Sequence, residues 1–279
     1  MTQLVNDNIR KAVREQYGKV AESGGRTGCC GSESACCSET RPDAKVTSLE
    51  IGYSISDVNQ VPDGANMGLG CGNPKAIASI KPGETVLDLG SGGGFDCFLA
   101  VQEVGVSGKV IGVDMTSEMV SMARANADRA GYKNLEFRLG EIEHLPVADN
   151  IIDVIISNCV INLSPEKFKV FEESFRVLKP GGRLAISDVV ATADIPEQAR
   201  KDMELFTGCL SGASSINDIQ TMLRGAGFSN IEIKPKDESK QFIQNWVPGS
   251  KLEDYIVSAT IEATKPKANP ADAPKSVLR

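Results

Sequence analysis

The sequence predicts an α/β fold: a Rossmann-like sheet with helices on both faces, an N-terminal helix and loop ahead of it, and an α+β extension behind it. Three observations lead there. Between Thr85 and Val190, short apolar runs (TVLDLG, KVIGVD, LEFRLG, IIDVIISN and RLAISDVV) alternate with helical stretches such as SEMVSMARANADRAGY, the rhythm of βαβ units around a mostly parallel sheet. The first run opens into the glycine-rich VLDLGSGGGFD, the place where such sheets let backbone approach a ligand. A chain of 279 residues that is 41% hydrophobic can also bury a full core.

Taken in order, Asn6 to Val20 reads as an amphipathic helix. Residues 21–44, AESGGRTGCCGSESACCSETRPDA, hold no large apolar side chain and read as a mobile loop. With the stretch up to residue 70 they form an N-terminal region; 71–190 is the core, 191–264 an extension and 265–279 a frayed tail rich in Pro and Ala. Ser164, Pro165 and Glu166 supply an N-cap, a first-turn proline and a carboxylate facing the helix dipole, which starts a helix there and carries it to about Leu178. LKPGG turns the chain into the next strand. Beyond Asp194 follow a helix through EQARKDMELF, another from Ile216 to Ala226, and strands NIEIK and DYIVSATIEA, the last alternating with period two.

Charge and composition exclude several classes. Lys and Arg number 30 against 37 Asp and Glu, a net charge of -7, and no basic run could neutralise a phosphate backbone, so no nucleic acid is expected. The first residues lack the apolar core of a signal peptide and no run is long enough for a bilayer, so no membrane partner and a cytoplasmic location are expected. Eight cysteines then read as thiols with redox or ligand roles rather than a secreted disulfide framework. The single histidine, His144, leaves little room for imidazole catalysis or His-rich zinc sites.

Gly90, Gly92 and Gly94 follow a strand and precede a helix, and Asp114 ends the next strand, where a carboxylate can accept from both ribose hydroxyls. Nicotinamide and flavin enzymes share that pattern. Asp88 within the glycine motif, GEIEHLP after the third strand and RVLKPGGRLAISD after the fourth helix together resemble the class I S-adenosylmethionine-dependent methyltransferases over Pro82 to Val190. The resemblance implies that Gly90, Ser91, Gly92 and Gly94 cradle the methionine part and that Asp88 helps its amino group. Asp114 would hold the ribose, Glu141 and Ile142 meet the adenine, Met115 flank it, and Asn158 complete the cofactor-binding set. Glu143 and His144 read as solvated or structural.

Three thiols stand outside ordinary packing patterns. Cys159 lies just past IIDVIISN, where open α/β sheets gather their ligands. Cys71 sits in the glycine-rich GANMGLGCGNP, too irregular for routine burial, and Cys209 ends a helix among small residues in MELFTGCLSGASS. Cys97, between Asp96 and Phe98, reads as core. GLGCGNP, SNCVINLSP and TGCLSGA, in this order around such a core, look like the arsenite methyltransferase family over nearly the whole chain before the tail. That resemblance implies trivalent arsenic bound by Cys71, Cys159 and Cys209, mono- and dimethylated products, and a role in arsenic detoxification.

The chemistry fits on its own terms. Thiolates are soft ligands for a soft element, and three satisfy a trivalent centre while leaving its lone pair free. That lone pair carries no proton, so no base is needed; positioning the reacting atoms roughly 3 to 3.5 Å apart is the enzyme's task. Each methylation replaces an arsenic–sulfur bond, so a methylarsenite substrate needs two thiols, by the family pattern Cys159 and Cys209. Cys71 would then be the ligand released or oxidised, through a disulfide with an upstream cysteine that thioredoxin or glutathione reopens. Cys29, Cys30, Cys36 and Cys37, in CCGSESACC, are the redox or capture candidates, zinc ligation ranking second because the spacing lacks CxxC. No metal cofactor is expected, and a monomer is. The competing readings are a methyltransferase for a small organic acceptor such as a quinone precursor, and a thiol-based metalloid-binding protein without activity.

Overall fold

The computed structural model describes residues 3–24, 43–246 and 251–267. Cys29, Cys30, Cys36 and Cys37, and the tail from residue 268, lie outside the described residues.

A long helix α1 (Gln3–Glu22) leads into two short ones, α2 (Ala44–Glu50) and α3 (Ile55–Gln60), the latter closed by a capping box between Ser54 and Asp57. A single turn α4 (Lys75–Ala78) precedes β1 (Thr85–Leu89), α5 (Phe95–Val104), β2 (Lys109–Asp114), α6 (Ser117–Ala130) and β3 (Leu135–Leu139). The chain then returns to the other side of β1 with β4 (Ile152–Asn158), α7 (Lys167–Val177) and β5 (Leu178–Ala191). Next come α8 (Glu197–Lys201), α9 (Met203–Thr207), the short β6 (Ser214–Ser215), α10 (Ile216–Gly225), β7 (Ser229–Lys236), α11 (Lys240–Ile243) and β8 (Ile256–Thr264).

The sheet order is β3-β2-β1-β4-β5-β8-β7, with β6 beside β5. The first five strands run parallel, and β8 and β7 pair antiparallel beyond β5. Successive residues of a strand point to opposite faces, and both faces are filled. Val86, Val110, Val154 and Ile156 pack with α5 and α6; Leu87, Leu89, Ile111 and Ile155 pack with α7 and α10. Two-sided burial explains the unbroken apolar strand sequences. The reversal of strand order between β1 and β4 opens a crevice at their carboxyl ends, where ligands of such sheets bind.

The structure departs from the sequence expectations at several places. Ser164 does not cap α7, which begins at Lys167: Ser164 follows a 3-10 turn (Ile161–Leu163), accepts from the Glu166 amide, and donates its hydroxyl to Glu143 at 2.6 Å. LKPGG is not a turn ahead of a strand but an irregularity inside β5, whose register against β4 jumps between Ile152 and Val154. The helix through EQARKDMELF breaks at Asp202 into α8 and α9. Residues Ile256 to Ile261 of β8 are buried on both faces, because β8 lies between β5 and β7 rather than at an edge. Lys265, expected in a frayed tail, is tied down: its Nζ donates to Phe175 O, Leu178 O and Asn150 Oδ1 at 2.6 to 2.8 Å and lies 4.5 Å from the Phe175 ring centre. Four helices, α2, α3, α4 and α11, were not expected at all. Among the described residues no helix is long and apolar enough to cross a membrane.

Candidate functional site

A cavity of about 980 Å³ opens at the carboxyl ends of β1 and β4. Its floor is the glycine turn, Gly90 to Gly93, with Asp88 and Asp114; α1 supplies a wall through Arg10, Val13 and Tyr17; and Cys159 and Cys209 close the far end.

The turn is shaped for close approach. Gly90 holds φ +68°, and a Cβ there would meet Val160 at 2.4 Å; one at Gly93 would meet Met67 Cε at 2.9 Å. Asp114 is fixed by two backbone donors, Gly92 N at 2.9 Å and Thr116 N at 2.8 Å. Ser91 presents a buried hydroxyl with no partner among the described residues. Three carboxyl groups crowd this end. Burial, then the neighbouring Asp96, pushes Asp88 well above the ordinary carboxylate range; burial takes Asp96 to about 6 and raises Asp114. Buried acid groups beside a cradle without side chains favour a ligand carrying positive charge. An amino acid bearing a sulfonium is such a ligand, and the residues present fit S-adenosylmethionine.

Most of the expected cofactor residues converge here: Asp88, Gly90, Ser91, Gly92, Asp114, Met115, Ile142 and Asn158 all line the cavity. Gly94 does not line it but precedes α5 as its N-cap. Glu141, expected at the adenine, is drawn away by α1: its carboxylate lies 3.5 Å from Arg10 Nε and 3.4 Å from Arg14 Nη1, and it does not line the cavity. Glu143, read as solvated or structural, is buried and lines the cavity while accepting from Arg10 Nη2 at 3.3 Å. Nothing in GEIEHLP foretold that a helix 130 positions upstream would claim both carboxylates.

At the other end, Cys71 and Cys159 bring their sulfurs together from distant segments, and Cys209 approaches the backbone of that pair. Cys71 and Cys159 are joined as a disulfide, with Cα atoms 5.9 Å apart. The Cys209 thiol donates to the Cys159 carbonyl at 2.7 Å and lies 3.9 Å from the Tyr17 hydroxyl. Beneath them Asp188, raised by burial to about 6, accepts from Ile161 N, Val189 N and Asn162 Nδ2, and its carboxylate oxygen is within 4.8 Å of the sulfurs of Cys71 and Cys159. Cys159 and Cys209 hold φ of +57° and +64°, a left-handed backbone that non-glycine residues rarely adopt and that surrounding packing must enforce.

One thiol expectation needs correction. Cys71 and Cys209 are not open: they are 1% and 4% exposed, because β8 and α9 fold over loops that looked bare in sequence. Cys71 is joined to Cys159, while the upstream cysteines named as its redox partners lie outside the described residues. Cys97 is core, as read, and donates its thiol to Asp88 at 3.2 Å. Tyr17, Tyr53, Asp96 and Asp188 were missed; Asp96 alone carried a signal, its place two residues after the glycine run.

A protein-family model described as a methyltransferase domain matches residues 80–227. The chain is 55% identical over 267 residues to the arsenite methyltransferase of Halobacterium salinarum, an alignment covering 93% of this chain and 67% of that one. It is 40% identical over 229 residues to that of Aquipseudomonas alcaligenes, covering 80% of this chain and 62% of the relative. Among solved structures, an arsenic(III) S-adenosylmethionine methyltransferase from Chlamydomonas reinhardtii superposes with a TM-score of 0.59 at 33% identity, covering 83% of this chain and 76% of the other. A sheet with its crevice at the β1/β4 switch, a side-chain-free acidic cradle, and sequence identity of this extent lead to one conclusion: the chain belongs to the arsenite methyltransferase family of S-adenosylmethionine-dependent methyltransferases.

Proposed function

We propose that the chain methylates trivalent arsenic held by the thiolates of Cys71, Cys159 and Cys209, giving mono- and then dimethylated arsenic. The observation that carries this reading is that Cys159 and Cys209 line one end of the cavity, with Cys71 joined to Cys159 behind it and the Cys209 thiol on the Cys159 carbonyl.

When bound, S-adenosylmethionine supplies a methyl group on a positively charged sulfur. Gly90 to Gly93 would hold its methionine part, Asp88 its amino group and Asp114 its ribose, while Met115 and Ile142 wall the base. Ligand capture requires an open Cys71–Cys159 pair, so a thiol reductant, thioredoxin or glutathione, acts first. Each cysteine then displaces a hydroxyl of arsenite, its proton leaving with the hydroxyl as water, and three sulfurs leave the arsenic lone pair free to form the new bond to carbon. Three thiolates enrich that lone pair, and the left-handed backbone at Cys159 and Cys209 would help to set its direction. Methylation leaves arsenic pentavalent; an upstream thiol then joins the Cys71 sulfur as a disulfide, which breaks the bond from Cys71 to arsenic, returns its two electrons to arsenic and releases the upstream thiol's proton. Cys159 and Cys209 line the cavity and Cys71 does not, which supports the former two as the pair that keeps methylarsenite. The chain works as a monomer in the cytoplasm on this reading.

Incubation of the chain with arsenite, S-adenosylmethionine and glutathione, followed by arsenic speciation, tests the reading. Mono- and dimethylated species are expected; unmethylated arsenite alone would overturn it.

A further inference from the structure

The last residue of β4, Asn158, stands directly before Cys159, and its side chain reaches across to the loop that carries Cys71. Its Oδ1 accepts from Cys71 N at 3.0 Å, and its Nδ2 donates to Gly72 O at 2.8 Å and to the Tyr53 hydroxyl at 3.0 Å. Tyr53 in turn donates to Asp96 Oδ1 at 2.6 Å, and its ring packs edge-on to Phe95 with centroids 4.8 Å apart. An amide offers two N–H donors and one oxygen; here both donors and the oxygen are engaged by protein. That leaves little for a cofactor, although Asn158 borders the cavity.

The loop is cut to admit this amide. Gly70 adopts φ +125°, and a Cβ there would lie 2.8 Å from Asn158 Nδ2 and 2.9 Å from its Oδ1. On the loop's other side, Ser258 donates its hydroxyl to Cys71 O at 2.6 Å. Cys71 is therefore gripped through its N–H by one strand and through its carbonyl by another, while Asn158 is covalently continuous with Cys159.

We propose that Asn158 is a positioning residue: it clamps the Cys71 loop onto the end of β4 and so sets how closely the sulfurs of Cys71 and Cys159 approach. Tyr53 and Asp96 hold the clamp in its working orientation. The inference rests on the reading that Cys71 and Cys159 act on one arsenic, and it assigns Asn158 to the thiol end of the cavity instead of to cofactor binding.

The test needs no arsenic, so its failure is separate from failure of that reading. In the full chain, with Cys29, Cys30, Cys36 and Cys37 replaced by serine, the fraction of Cys71–Cys159 disulfide is read by alkylation and mass spectrometry in glutathione buffers. Closing joins two thiols, and glutathione disulfide is reduced to two glutathiones. Asn158→Ala removes the bonds to Cys71 N and Gly72 O and should lower the closing constant about tenfold. Gly70→Ala, which pushes the amide aside, should act in the same direction, and Tyr53→Phe more weakly. S-adenosylmethionine affinity, followed through the fluorescence of Trp246 at the cavity, should change less than the closing constant in the Asn158 and Gly70 variants. An unchanged closing constant, or a loss of cofactor affinity as large as the loss in closing, overturns the proposal. Should Asn158→Ala fail to fold, the Gly70 and Tyr53 variants decide it.

Discussion

At the residue scale, the site depends on atoms that exchange easily with each other in name but not in chemistry. Serine can imitate a thiol's size yet not its softness toward arsenic. Replacing Cys159 or Cys209 by serine should abolish methylation of both arsenite and methylarsenite, whereas Cys71→Ser should stop the first step and spare the second; equal losses in all three, measured by arsenic speciation, would refute that division. A second residue-scale expectation concerns acidity. Asp96 is raised by burial to about 6, so in the cofactor-free chain it is protonated in the fold below that pH and ionised in the unfolded chain above its ordinary value. Its contribution favours the fold at low pH and is lost as pH rises from about 4 through 6. A cationic cofactor reverses the preference, because it binds best to ionised carboxylates. S-adenosylmethionine affinity should therefore rise several-fold between pH 5 and pH 7.5, and Asp96→Asn should flatten that rise; calorimetric titration at both pH values checks it. That Asp88, Asp114 and Cys159 line one cavity was legible in the sequence because strand ends and glycine loops announce themselves locally. Tyr53 and Asp188 were not, since their importance comes from what they touch across the fold.

At the element scale, α1 was legible as a helix from its spacing, but its role was hidden. It packs on α6 and α9 and walls the cavity. Its Arg10, with a side chain 5% exposed, lies 2.6 Å from Glu166 and 3.3 Å from the equally buried Glu143. A buried charge left without its partner is expensive, on the order of 3 kcal/mol. Arg10→Ala should accordingly lower stability by about that amount and weaken cofactor binding, and adding Glu143→Gln should recover part of the loss; denaturant unfolding of the single and double variants measures the coupling. The Ser164 cap failed as a reading for a related reason. Its hydroxyl still accepts a backbone N–H, from Glu166, but α7 starts only at Lys167, and the hydroxyl also donates to Glu143, a carboxylate twenty-one positions away that local capping rules do not see. Lys265 escaped notice likewise, because its three carbonyl and amide acceptors come from β5, α7 and the turn before β4.

At the scale of the whole molecule, the strand order does the joining. Placing β1 beside β4 sets the glycine turn next to Cys159; adding β8 across β5 seals the Cys71 loop; and α9 returns Cys209 to the same spot. The alternation of strands and helices foretold the sheet, but not the approach of Cys209 to the Cys71–Cys159 pair, which sequence separation conceals and only resemblance suggested. X-ray absorption at the arsenic edge, on the reduced chain loaded with one equivalent of arsenite, tests that convergence most directly. The account predicts arsenic bonded to three sulfurs, falling to two when Cys71, Cys159 or Cys209 is replaced by serine. Oxygen-dominated coordination, or a sulfur count that ignores those replacements, would contradict it.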